Sequence, residues 1–300
     1  MKLKKIIITG GGGFIGTELV KLFKKKNNVI IIDKKKNKKK ISTFKKLKVK
    51  FVKGDLTNKS ICKKFYKDAR IIYHLAGITK VPSTDANLDK KKEKKIYSDT
   101  MILMKNLLEL CNKNTNIIFP STHLVFENCK KNKKIFNEKS RPMPNLAYSK
   151  SKLKCESLLS RSPNKHIILR LGSVYGETLK ERMFNMPNLF PLRTKNGKNL
   201  KLFSKGVQIK GLVSVKDVAK AMFFFSKKIK KNQIFNLVSE HFTVKEIANI
   251  CRDHNKNIKL ISTKDKIPTK GYFMSKRKIL KSGFKFSHSY KTFVKSYINN

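Results

Sequence analysis

Residues 3–8 form a short apolar, β-branched run, and Thr9-Gly10-Gly11-Gly12-Gly13-Phe14-Ile15-Gly16 follows at once. Gly10, Gly13 and Gly16 lie three residues apart, and Leu19, Leu22 and Phe23 come next at helical spacing. This order predicts a buried parallel strand, a tight turn and a helix. It constrains the fold more than any other stretch. A turn without side chains lets the backbone approach a pyrophosphate, and the start of a helix adds free N–H groups and a partial positive charge. A second apolar strand over residues 29–32 ends in Asp33, 17 residues after Gly16. A carboxylate there accepts hydrogen bonds from the hydroxyls of an adenosine ribose. Strand, glycines, helix, strand and acid in this order point to a bound dinucleotide.

Three hundred residues bury a sizeable core. The run before Thr9 is too short for a signal peptide or a membrane span, and no other stretch is long and apolar enough to span a membrane. The five cysteines, Cys62, Cys111, Cys129, Cys155 and Cys251, have no paired spacing. That implies a reducing compartment, the cytoplasm, and no metal site. The net charge is +52, which raises the question of a polyanion-binding scaffold. Only 8 of the 71 basic residues are arginine, Trp is absent, and lysines fall on nearly every face. The runs over residues 34–40, 90–95 and 130–134 are expected between elements, as loops. This reads as compositional drift, so no specific nucleic-acid or membrane partner is expected.

Strand and helix patterns alternate through the first half, over residues 49–52, 71–75, 96–110, 117–121, 148–159 and 167–171. Thr57 or Asn58 is placed to cap the helix that carries Ile61, Phe65 and Tyr66. The pattern predicts an α/β fold, a Rossmann-like doubly wound parallel sheet. After Gly176 the rhythm loosens, and residues 183–198 hold two prolines with mixed periodicity. Short strands are expected at 200–203, 211–215, 233–237 and 258–261, with a helix at 218–226. Thr243-Val244-Lys245-Glu246 is a capping box, and short helices are expected near Arg277 and Tyr290. We expect a dinucleotide domain over 1–176, to which 206–240 return elements. A smaller C-terminal α/β substrate domain would comprise 177–205 and 241–300, closing over the carboxyl edge of the sheet, where such sheets bind ligands.

Tyr148 and Lys152 stand one helical turn apart, and Ser121-Thr122 ends the preceding strand. A lysine ammonium one turn away favours a phenolate and makes the tyrosine a usable proton acceptor near neutral pH. With these residues in view, the chain resembles the extended short-chain dehydrogenases/reductases that act on nucleotide sugars. The resemblance runs through Thr9–Gly16, Gly54-Asp55-Leu56, His74-Leu75-Ala76-Gly77, Thr122 with Val125, Tyr148 with Lys152, and Leu169-Arg170 to Tyr175-Gly176. It continues through Val213 to Ala219, Ser275-Lys276 and Gly283-Phe284.

That resemblance implies Thr122, Tyr148 and Lys152 as catalytic residues. It implies Gly10, Gly13, Phe14, Ile15, Gly16, Asp33, Asp55, Leu56, Leu75, Ala76 and Gly77 as the cofactor site. Ser173 and Lys210 fall on substrate positions, where relatives carry asparagine and arginine; Thr100 and Phe126 also depart from the family pattern. The cofactor expected is NAD, because Asp33 repels a 2′-phosphate; Lys34 and Lys35 offset this and leave NADP open. The substrate class implied is a nucleotide-diphospho-sugar, and the assembly implied is a homodimer through the helices at 96–110 and 148–159. A 4,6-dehydratase carries Asp-Glu after the catalytic threonine, where this chain has His123-Leu124. The glycine spacing and the length of the tail resemble those of the epimerases, so the expected activity is epimerisation, at C4; reduction of a 4-keto sugar is the alternative and dehydration the weaker one. His123 is expected to be a satisfied loop residue.

Overall fold

The computed structural model describes residues 5–23, 28–35, 38–77, 89–128, 135–177, 185–264 and 271–299. The first half alternates as expected: β1 (Lys5–Thr9), α1 (Phe14–Val20), β2 (Asn28–Asp33), α2 (Lys38–Lys46), β3 (Lys50–Lys53), α3 (Lys59–Tyr66) and β4 (Ile71–His74). Next come α4 (Lys90–Leu110), β5 (Asn116–Thr122), β6 (Ile135–Phe136), α5 (Ala147–Arg161), β7 (His166–Leu171) and β8 (Ser173–Tyr175). The remainder is α6 (Met186–Lys195), β9 (Leu200–Phe203), β10 (Ile209–Ser214), α7 (Val215–Ser226), β11 (Gln233–Leu237), β12 (Glu240–Thr243), α8 (Val244–Arg252), β13 (Leu260–Thr263), β14 (Phe273–Met274), α9 (Arg277–Lys281) and α10 (Tyr290–Asn299).

Seven strands pair in parallel in the order β11-β7-β5-β4-β1-β2-β3. Their apolar runs are continuous because both faces are covered. Ile6, Ile8, Ile31, Ile118 and Leu169 face a layer that includes Leu19, Val20, Met222 and Phe225 of α1 and α7. Their neighbours Ile7, Ile30, Ile72, Ile117 and Ile168 face Phe65, Met104, Leu107 and Leu159 of α3, α4 and α5. The two-residue period of a strand thus divides one hydrophobic run between two helical layers. Smaller sheets, β12-β10-β8 and β13-β9, pack with α6, α8 and α10 around Phe190, Leu202, Leu212, Ile247 and Tyr290. β11 returns from this region to the edge of the large sheet. No helix among the described residues is long and apolar enough to cross a membrane.

One expectation is corrected. The lysine runs at 34–40 and 90–95 are not confined to loops: α2 begins at Lys38 and α4 at Lys90. Lysine is a good helix former. The start of α4 is fixed by Asp89, whose side chain accepts from Lys92 N at 3.1 Å, and Lys95 pairs with Asp99 at 3.3 Å. The run at 130–134 and Cys129 lie outside the described residues, as does part of the proline-bearing stretch at 183–198. Residues 186–195 of that stretch form α6 despite Pro191 inside it. Proline cannot donate to the carbonyl four residues back. That carbonyl, on Pro187, accepts from the Tyr290 hydroxyl at 3.0 Å instead.

Candidate functional site

The carboxyl ends of the large-sheet strands open onto a cavity of about 1000 Å³. Its floor is the glycine turn. Gly10 holds φ +62°, and a side chain there would reach 2.9 Å from Ala76 N. At Gly16 a Cβ would stand 2.5 Å from Gly11 Cα, so α1 crosses the turn at backbone contact. Gly10 N donates to Ile32 O at 2.8 Å and Gly13 N to Gly10 O at 2.9 Å. Asp33 closes this turn from the end of β2: its carboxylate accepts from Gly12 N and from Lys35 N, each at 3.0 Å. Gly10, Gly13, Phe14, Ile15, Gly16 and Asp33 all line the cavity.

The next strand ends extend the wall. Asp55 accepts from Thr57 N at 3.1 Å and pairs with the Lys34 ammonium at 2.7 Å. Lys34 holds the Asp55 carboxyl below the usual carboxylate range, and the Lys34 ammonium is pushed up in turn. Leu56 is buried, and its carbonyl accepts from Asn106 Nδ2 at 3.0 Å. Asn58 caps α3. Leu75, Ala76 and Gly77 line the cavity after β4. Ala76 N donates to Thr9 Oγ1 at 3.1 Å, and Thr9 Oγ1 meets His74 Nδ1 at 3.2 Å. Burial first, then the charge of Lys152, lowers His74 to about 3.

Thr122, Tyr148 and Lys152 line the same cavity. Thr122 ends β5, and its Oγ1 accepts from Leu124 N at 3.2 Å. Tyr148 sits in the first turn of α5, with Lys152 one turn on. The Lys152 ammonium donates to Pro120 O at 2.9 Å and lies 4.4 Å from the centroid of the Phe119 ring, which ties it to β5. α5 starts at Leu146 without a side-chain cap of its own. Two remote carboxylates supply one. Glu127 accepts from Asn145 N at 2.6 Å, from Leu146 N at 2.7 Å and from the Ser149 hydroxyl; Glu93 accepts from Ala147 N at 2.8 Å. Behind β5, Ser121 Oγ donates to Glu156 at 2.5 Å, and Glu156 is salt-bridged to Arg170 at 2.7 Å. The Arg170 guanidinium stacks 5.2 Å from the Phe126 ring centroid, so the phenylalanine at this departure from the family pattern is a packing partner. Sequence reasoning missed Glu93, Glu127 and Glu156.

The opposite wall carries Ser173 of β8 and Lys210 of β10, with Arg193, Lys201 and Gln208 beside them. Burial lowers the Lys210 pKa. His123 faces the cavity, yet its ring Nδ1 is 3.1 Å from the Tyr272 hydroxyl, which in turn donates to His123 O at 2.5 Å. Burial, then Lys210 and His241, brings His123 to about 3. Thr100 donates to Ile96 O at 2.7 Å within α4. Among the described residues, no group of three or more His, Cys, Asp or Glu is placed to hold a metal ion.

The model of the family described as NAD dependent epimerase/dehydratase matches residues 6–237. The chain belongs to this family. Curated relatives of this epimerase/dehydratase-family chain include a dTDP-D-glucose 4,6-dehydratase of Dictyostelium discoideum, 27% identical over 83% of this chain and 62% of that protein. A trifunctional UDP-glucose 4,6-dehydratase/UDP-4-keto-6-deoxy-D-glucose 3,5-epimerase/UDP-4-keto-L-rhamnose-reductase of Arabidopsis thaliana is 26% identical over 79% of this chain and 37% of that protein. The chain therefore spans less than two thirds of the length of either relative. Among solved structures, the UDP-N-acetylglucosamine 4-epimerase of Methanobrevibacter ruminantium superposes with TM-score 0.82 at 22% identity, covering 100% of this chain and 98% of that one. The UDP-glucose 4-epimerase of Thermus thermophilus, solved with NAD, gives 0.79 at 20% identity, covering 98% of both chains. A dTDP-glucose 4,6-dehydratase of Streptomyces venezuelae, also with NAD, gives 0.81 at 18% identity, covering 99% of this chain and 97% of that one. These likenesses establish the fold of this family member: a Rossmann-like parallel sheet. A dinucleotide fits the site by its shape and donors. The glycine floor lines the cavity with backbone, its close packing against Ala76 and within the turn leaving no room for a Cβ at Gly10 or Gly16, and Asp33 stands at the rim with acceptor oxygens.

Proposed function

We propose that this chain is an NAD-dependent epimerase of a nucleotide-diphospho-sugar, acting at C4. The observation that carries the reading is that the glycine floor, Asp33 and the trio Thr122, Tyr148 and Lys152 all line one cavity. A bound nicotinamide would supply reversible hydride acceptance at the sugar carbon, which epimerisation through a 4-keto sugar requires. Gly10, Gly13, Phe14, Ile15 and Gly16 hold the pyrophosphate; Asp33 takes the ribose hydroxyls; Asp55, Leu56, Leu75, Ala76 and Gly77 border the rest of the dinucleotide. Tyr148 removes the proton of the 4-hydroxyl and later gives it back. Lys152 favours the phenolate. Thr122 Oγ1 already accepts from Leu124 N, so its own O–H is left to donate to the reacting oxygen. Lys210 and Ser173 contact the nucleotide sugar from the opposite wall. A lysine in place of arginine keeps the charge and loses the two-pronged contact with a diphosphate.

Dehydration needs an acid and a base beside the threonine. Leu124 has neither, and His123 is neutral at ordinary pH and engaged with Tyr272. We propose further that residues 1–176 with 206–240 bind the dinucleotide and that 177–205 with 241–300 bind the sugar. Two copies would pair through α4 and α5. A cytoplasmic location accords with the scattered cysteines. The second reading is a 4-keto-sugar reductase, favoured by the run from Ser121 to Phe126. The test is release of nicotinamide from the denatured pure protein. Stoichiometric NAD supports a cycle that keeps its cofactor, and interconversion of UDP-hexoses is then assayed. An empty protein that oxidises NADPH with a 4-keto sugar overturns epimerisation in favour of reduction. Tight binding of neither cofactor overturns both and returns attention to a polyanion-binding scaffold.

A further inference from the structure

The chain places three lysines, Lys34 to Lys36, directly after Asp33, and a cation at that rim is what a 2′-phosphate would seek. The structure shows where the first of them is spent. The Lys34 ammonium reaches Asp55 Oδ2 at 2.7 Å, across from the end of β2 to the end of β3. Asp99 adds a smaller attraction for the Lys34 ammonium. The Asp33 carboxylate meanwhile accepts the backbone N–H groups of Gly12 and Lys35, which hold it to the glycine turn, and keeps lone pairs for ribose hydroxyls. Asp33, Lys34, Lys35 and Asp55 all border the one cavity.

We infer that Asp55 keeps this protein selective for the unphosphorylated dinucleotide, by holding the Lys34 ammonium away from the position a 2′-phosphate would take. The inference rests on the reading of the cavity as a nicotinamide dinucleotide site. Asp55 then has a duty beyond bordering the adenine: it withdraws the neighbouring cation that would neutralise the repulsion between Asp33 and a 2′-phosphate. The pair is exposed, with Lys34 68% and Asp55 38% accessible, so the withdrawal is modest and reversible by a single substitution.

The test is titration of the full-length protein with NADH and NADPH, followed by nicotinamide fluorescence, in four forms: unaltered, Asp55→Asn, Lys34→Met and the double variant. Any loss of adenine contact in Asp55→Asn weakens both nucleotides alike, so the ratio of the two dissociation constants is the quantity read. Lys35 and Lys36 are present in every form and cancel. Asp55→Asn is expected to move the ratio toward NADPH by about five-fold, the size of one exposed ion pair. Lys34→Met alone should leave the ratio unchanged, and the double variant should restore the starting ratio. A shift that persists in the double variant overturns the inference, because the charge of Asp55 would then act on the phosphate directly. A large loss of NADPH binding in Lys34→Met alone overturns it too, since Lys34 would already be free. If neither nucleotide binds any form, the dinucleotide reading itself has failed; if both bind with ratios indifferent to Asp55, only the inference has.

Discussion

At the scale of single residues, the proposed chemistry rests on one phenol. Tyr148→Phe is expected to lower turnover at least ~100-fold while leaving NADH binding unchanged, as removal of a general acid–base does. Loss of binding in step with turnover would assign the residue to architecture. A different kind of residue holds the wall behind it. Arg170 and Glu156 are both buried, each with a side chain 4% accessible, and Ser121 completes the network. Arg170→Met strands a buried carboxylate and is expected to cost about 3–5 kcal/mol in urea unfolding. Adding Glu156→Leu should recover much of that loss. Asp33 and Tyr148 were legible in the sequence because their meaning depends on neighbours within a few residues: the end of a strand, the start of a helix. Glu127 and Glu156 were not, because their partners Asn145 and Ser121 lie 18 and 35 residues away. Nothing in local spacing marks such a pairing.

At the scale of elements, the contact of α1 with the glycine turn is the tightest joint in the site. Gly16→Ala inserts a methyl 2.5 Å from Gly11 Cα and 2.6 Å from Gly11 O, both backbone atoms that cannot swing aside. The helix must shift, at a cost of about 1–3 kcal/mol. Nucleotide binding should fall together with stability, and unchanged binding in that variant would show that the turn does not carry the ligand. Elements with a strong period were legible: β9 and β11 fall on the residues expected, and the Thr243–Glu246 capping box forms in full. Elements whose existence depends on tertiary partners were not. β6 and β14 have two residues each and exist by pairing with one another. In α6 the carbonyl that Pro191 leaves without a helical partner is taken by Tyr290, about a hundred residues on. α2 is rich in lysine, and its single buried phenylalanine, Phe44, gave too thin a stripe to announce a helix.

At the scale of the whole molecule, four histidines make the fold sensitive to acid: burial lowers His166 as well as His74, His123 and His241. His74 and His123 titrate at about 3 and His241 at about 4, with burial the first cause in each case, against 6.5 for the free side chain. Below 6.5 the unfolded chain takes up protons that the folded chain refuses. Their contribution is complete above that pH and is lost as the pH falls toward the folded values. Each histidine contributes a slope of about 1.4 kcal/mol per pH unit between those limits. Glu240, whose carboxyl burial pushes up, acts in the opposite sense over its own range. Melting temperatures should therefore drop steadily from pH 7 to pH 5, and a flat profile would count against neutral buried histidines. The start of α5 bears on assembly in another way. The helix that presents Tyr148 and Lys152 does not begin itself; Glu93 from α4 and Glu127 from the turn after β5 begin it. A nascent or partly folded chain, with those carboxylates still distant, has no properly started helix and so no presented pair. Turnover then reports completed assembly: during refolding it should return last, after helical content has already recovered.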